Sequence, residues 1–152
     1  MSIWWSLHLR REAASVPLAR RLLLGTMETA GVDPDVSYDL SVALTEACAN
    51  AVEHGGGAGP GAPGGSPSGA YRVTAYLDGE TCRIEVADAG PGFPGAGAPR
   101  VPSDDAEHGR GLRLIEELAD HVQFGNRSVR GGAVVSFDKI LKWRDSPSLL
   151  LA

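Results

Sequence analysis

At 152 residues the chain is long enough for one domain with a proper core. Its 43% hydrophobic and 22% charged residues match an ordinary soluble globular protein, and a net charge of -5 speaks against non-specific binding to nucleic acid. Cys48 and Cys82 form no CxxC pair, which leaves neither a disulfide framework nor a zinc site, and no stretch approaches the ~20 apolar residues of a membrane span.

In chain order, WWSLHLRRE alternates Leu7 and Leu9 with polar neighbours and predicts an edge strand. SVPLARRLLLGTMETAG places Leu18, Leu22 and Leu23 at helical spacing, with Ser15 as N-cap, Pro17 in the first turn and Gly31 as the stop. A second helix runs through DPDVSYDLSVALTEACANAVEHG, from Asp33 as cap and Pro34 to a stop at Gly55, with Leu40, Leu44, Ala47 and Ala51 as its apolar stripe. The Gly/Pro-rich segment 55–70 is too poor in core residues to order itself and predicts a flexible loop inside one domain. YRVTAYLDGETCRIEVAD is a hairpin turning at Asp78-Gly79. GPGFPGAGAPRVPSDDAEHG reads as loop by composition, and a helix opened by Gly109 and Gly111 follows, with Leu112, Ile115, Ala119 and Val122 on one face. VQFGNRSVRGGAVVSFDKIL closes as a second hairpin, and the tail is poorly ordered. The order β-α-α-β-β-α-β-β predicts a two-layer α+β sandwich, with helices on one face of a mixed, mostly antiparallel sheet.

Three groups of residues carry chemistry. Cys82, Ile84 and Val86 share one face of a strand, and Asp88 continues it, so its carboxylate points at the helix layer and needs a donor. No basic residue is close in sequence; the donor is a distant side chain or a ligand amine such as the adenine N6, unless Asp88 merely caps a turn. Gly90 and Gly92 follow where the backbone turns sharply or approaches something closely. On the second helix Glu46 and Asn50 are four apart and share a face at the border of the buried stripe. Asn50 offers a neutral oxygen to Mg²⁺ and Glu46 can take a proton from a hydroxyl; a merely solvated helix face is the alternative. His54 at the end of that helix can interact with its C-terminal dipole. Gly109 and Gly111 at a helix N-terminus let a phosphate reach free N–H groups, and Arg110 adds charge. In this fixed order the three signals together specify adenine, magnesium and phosphates.

EACANAVEHG, DAGPGF and HGRGLRLI resemble the N box and the two glycine boxes of the GHKL ATPase superfamily. The chain's size and the continuation ADHV are similar to the anti-sigma-factor serine kinases of Gram-positive bacteria, over roughly residues 5 to 142. The resemblance implies a Bergerat ATP-binding fold over 1–145, with a tail at 146–152 and an ATP lid at about 94–108, in which Arg100 reaches phosphate. It makes Glu46 the general base that activates a substrate serine, Asn50 the Mg²⁺ ligand and Asp88 the adenine-reading carboxylate. Gly90, Gly92, His108, Gly109, Arg110, Gly111 and Leu112 fall in the glycine boxes around the nucleotide. The implied protein binds ATP and Mg²⁺, phosphorylates a small anti-anti-sigma protein and holds an RNA polymerase sigma factor. It works in the cytoplasm without nucleic acid or membrane. Relatives are commonly dimers, so a homodimer is expected; Trp4 and Trp5 either serve it or pack inward on the helices.

Two departures stand out: the insert at 55–70 is longer than usual, and Ala133 and Val134 replace the threonine relatives often carry near the adenine. A nucleotide-binding partner-switch module without kinase activity is the alternative reading; Glu46 favours the kinase, since binding alone needs no base. A histidine-kinase catalytic domain would need an upstream dimerisation helix with a phosphoacceptor histidine.

Overall fold

The computed structural model describes residues 2–54, 69–88, 106–126 and 132–144, without the side chains of 54, 106–110 and 126. Of the loop expected at 55–70, residues 55–68 lie outside the described residues, as do the stop at Gly55, the lid up to 105 and the tail from 145, whereas Ala70 already belongs to a strand. Strand β1, Ile3–Arg10, leads through a short 3₁₀ turn into α1, Val16–Ala30, and α2, Pro34–His54. Strands β2, Ala70–Leu77, and β3, Thr81–Asp88, form the central hairpin. Helix α3, Ala106–Leu118, precedes β4, His121–Asn126, and β5, Ala133–Ile140. The sheet order is β1-β2-β3-β5-β4, so β1 is an edge strand, and all four described pairings are antiparallel rather than mixed.

Local chemistry accounts for the helix ends. Asp33 Oδ1 accepts the Asp35 N–H at 2.8 Å and caps α2, with Pro34 at its first position. Gly31 adopts φ 87, a left-handed conformation that favours glycine, and its N–H bonds the last carbonyls of α1. Ser15 precedes α1 as predicted, but its hydroxyl does not cap: it donates to the Glu12 carbonyl and bonds the Tyr71 hydroxyl at 2.6 Å.

All three helices bury one side against one face of the sheet. The stripe of α2 is as read, with Leu40, Leu44, Ala47 and Ala51 essentially inaccessible. That of α1 is not: Ala19, Leu23 and Met27 are buried, while Leu18 and Leu22 face outward. A seven-residue run with leucines on several sides offers more than one apolar stripe, and packing against the core selects this one. Helix α3 stops at Leu118, so Ala119 lies beyond it and Val122 packs inward from β4. On β1 the tryptophans split by strand alternation. Trp5 turns inward, donating its indole N–H to Thr26 Oγ1 at 3.0 Å, and Trp4 turns out beside Tyr76. Among the described residues no helix is long and apolar enough to cross a membrane.

Phe137 sits mid-core, paired with Ile84 on one side and Val122 on the other. Phe137→Ala is expected to remove about 3–5 kcal/mol of unfolding free energy in a denaturant titration; a loss below about 1 kcal/mol would contradict this packing.

Both cysteines are buried. Burial pushes the Cys82 thiol up to about 12. It does the same to Cys48, also up to about 12, although Cys48 shares a hydrogen bond with Tyr71, whose own hydroxyl is raised by burial. A thiol whose folded pKa is raised contributes stability fully below its unfolded pKa, about 8.5, and that contribution is lost as pH rises beyond it. The folded protein is therefore expected to resist thiol-specific reagents at neutral pH and to lose stability on the alkaline side. Prompt labelling of either cysteine before unfolding would contradict the burial.

Candidate functional site

The site builds on α2, the end of β3 and α3. Helical spacing puts Glu46 and Asn50 on one side of α2, one turn apart, beside the buried stripe. Glu46 is half-buried and Asn50 is 9% exposed. The Asn50 Oδ1 atom is inaccessible and has no hydrogen-bond partner among the described residues. Leaving a buried carbonyl oxygen unmet costs about 1–3 kcal/mol, so natural folds retain few of them. A hard cation that accepts a neutral oxygen and keeps its waters fits this atom, which is the chemistry of Mg²⁺.

Asp88 ends β3 on the helix-facing side, in line with Cys82, Ile84 and Val86, and is 5% exposed. Its Oδ1 accepts the Ala133 main-chain N–H at 3.1 Å. One donor is thus an amide supplied by the β3–β5 register, which alternation along one strand does not reveal. Gly132, at φ 102, sets that amide's direction from a conformation other residues rarely take. A carboxylate accepts several hydrogen bonds, so an exocyclic amine remains a fitting further donor. Ala133 itself is buried and brings no hydroxyl to this end of the sheet.

Helix α3 packs on α2 and begins at Ala106, so Gly109 and Gly111 stand fourth and sixth in it rather than opening it. The glycine spacing reads as a helix start, but burial of Leu112 and Ile115 against the core carries helix through the glycines. The side chains of His108 and Arg110 lie outside the described residues, as do Gly90, Gly92 and Arg100. Leu112, 2% exposed, is a core residue of α3. Gly111 is the point where α3 meets the site: a Cβ there would stand 3.1 Å from Glu46 Oε1. Spacing alone could not foresee that contact. The structure thus joins Glu46 and Gly111 at the α2–α3 seam, with Asn50 one turn along α2 and Asp88 on the sheet face that α2 covers.

Asn50→Leu separates function from folding. It removes a buried oxygen that has no partner among the described residues, so the fold is expected to hold; with Asn50 as the proposed metal ligand, Mg²⁺-dependent nucleotide binding is expected to fall about tenfold or more. A thermal melt and calorimetry with and without Mg²⁺ read the two effects; unchanged metal dependence would remove Asn50 from the site.

No curated protein matches the chain significantly in sequence. Among solved structures, the RsbU and RsbW domains of Rv1364c from Mycobacterium tuberculosis superpose with a TM-score of 0.62 at 22% identity, covering 92% of this chain and 34% of that one. This chain therefore spans about a third of that matched chain's length. The catalytic domain of histidine kinase ThkA aligns over 93% of this chain and 99% of its own, at 13% identity and a TM-score of 0.46. A family model, the histidine kinase-like ATPase domain, matches residues 9–139. With both the sheet-end carboxylate and the α2 pair inside that span, the chain belongs to the histidine kinase-like ATPase domain family.

Proposed function

We propose that the chain is an ATP-dependent serine kinase that phosphorylates an anti-anti-sigma protein and, as the same polypeptide, binds an RNA polymerase sigma factor. Membership of the ATPase family supports the nucleotide, and the resemblance of its boxes to anti-sigma serine kinases supports the partners. Similarity of fold to a protein with RsbU and RsbW domains is consistent with such a switch. One observation carries the reading: a half-buried carboxylate, Glu46, stands one helical turn from the buried amide oxygen of Asn50, which has no partner among the described residues.

Each residue then has a task. Asp88 accepts a hydrogen bond from the adenine amino group and so distinguishes ATP from GTP, which presents an acceptor there. Asn50 Oδ1 would hold Mg²⁺, which would supply neutralisation of charge on the phosphate oxygens. Glu46 takes the proton of the substrate serine hydroxyl. The serine oxygen forms the new bond to the γ-phosphorus, and the bond to the β–γ bridging oxygen breaks, its electron pair leaving with ADP. Positioning rather than covalent chemistry from the protein does most of the work in such transfers.

Incubation with labelled ATP, Mg²⁺ and small antagonist proteins tests the proposal. Label on a serine of one antagonist is the expected result. Nucleotide binding without transfer to any of them would overturn the kinase reading in favour of a partner-switch module that only binds.

A further inference from the structure

Resting on the assignment of Glu46 as base, a second residue acquires a role in the same reaction. Gly111 is the sixth of thirteen residues in α3, a place where glycine weakens a helix relative to alanine. Its neighbours Leu112 and Ile115 are buried, so the helix is well packed there and propensity alone would favour an alanine. What an alanine would meet is the proton acceptor itself: Glu46 Oε1 at 3.1 Å and Cδ at 4.0 Å from the added Cβ. Gly25 in α1, by contrast, has nothing within 4 Å, so crowding is not general to the helical glycines described.

We propose that Gly111 is a positioning residue for phosphoryl transfer: its bare Cα forms the wall against which the Glu46 carboxylate rests. The missing methyl sets where the proton-accepting oxygen stands relative to the incoming hydroxyl. Any larger residue displaces that oxygen by a few tenths of an ångström or more, and base catalysis is steeply sensitive to such shifts.

Gly111→Ala in the full chain tests this. The expected result is a kcat for serine transfer about tenfold lower, nucleotide affinity within about twofold of the parent, and a melting temperature unchanged or raised. Combination with Glu46→Asp, which draws the carboxylate back by one methylene, is expected to relieve the clash, so that Gly111→Ala then costs less than about twofold. A structure of Gly111→Ala reads the cause directly, with Glu46 Oε1 moved from its parental place. An unmoved carboxylate, an equal loss in both backgrounds, or weaker nucleotide binding with kcat intact would each overturn the proposal; the last would make Gly111 a phosphate contact instead. Failure of the base assignment shows separately, as unchanged transfer by Glu46→Gln.

Discussion

Asp88→Asn is expected to lower nucleotide affinity by about 100-fold or more while leaving the fold intact. The substitution keeps the shape of the side chain, so the core beneath Val86 is undisturbed. It changes the hydrogen-bonding inventory. A carboxylate only accepts, whereas an amide offers one acceptor and one donor group. The Ala133 N–H already claims an oxygen of Asp88 at 3.1 Å. If the amide oxygen stays on Ala133, the amide NH₂ is presented to the adenine amino group, donor against donor. If the amide flips, Ala133 loses its acceptor in a site that is 5% exposed. Either arrangement leaves a buried group unmet at about 1–3 kcal/mol and also forfeits the charge-assisted bond to the base, which sets the expected size. Calorimetry with ATP measures it. Affinity within about threefold of the parent, with an unchanged melt, would mean that the carboxylate does not read the base.

Glu46→Gln is expected to have the largest effect on chemistry. General bases contribute roughly 10²–10⁴-fold, so serine transfer should fall by that factor. Nucleotide affinity should hold, because the task proposed for the carboxylate falls on the incoming hydroxyl and not on the bound nucleotide. Glutamine fills the same volume, and the tight approach to Gly111 makes that near-isosterism important. Single-turnover transfer and equilibrium binding, measured on one preparation, separate the two quantities. Transfer within a few-fold of the parent would assign the proton to another acceptor.

Much of this architecture was legible in the residues. Alternation through Cys82, Ile84 and Val86 predicted an inward Asp88, and the i, i+4 spacing predicted that Glu46 and Asn50 share a face. Both follow from backbone periodicity, which sequence states directly. The α1 stripe differs from the expected one because leucines stand on several sides of the helix, and only packing chooses which of Leu18, Leu22 and Leu23 is buried. The start of α3 was placed late because two glycines look like a boundary when tertiary burial is unknown. The Ala133 amide on Asp88 and the Gly111 contact with Glu46 were invisible for a different reason. One arises from strand register and the other from helix–helix approach, and each joins residues more than forty positions apart.

A crystal structure with a non-hydrolysable ATP analogue and Mg²⁺ tests the central claim most directly. The adenine amino group should lie within hydrogen-bonding distance of the Asp88 carboxylate, with the metal on Asn50 Oδ1 and Glu46 facing the γ-phosphate. A base bound elsewhere, or a metal that leaves Asn50 Oδ1 unmet, would contradict it.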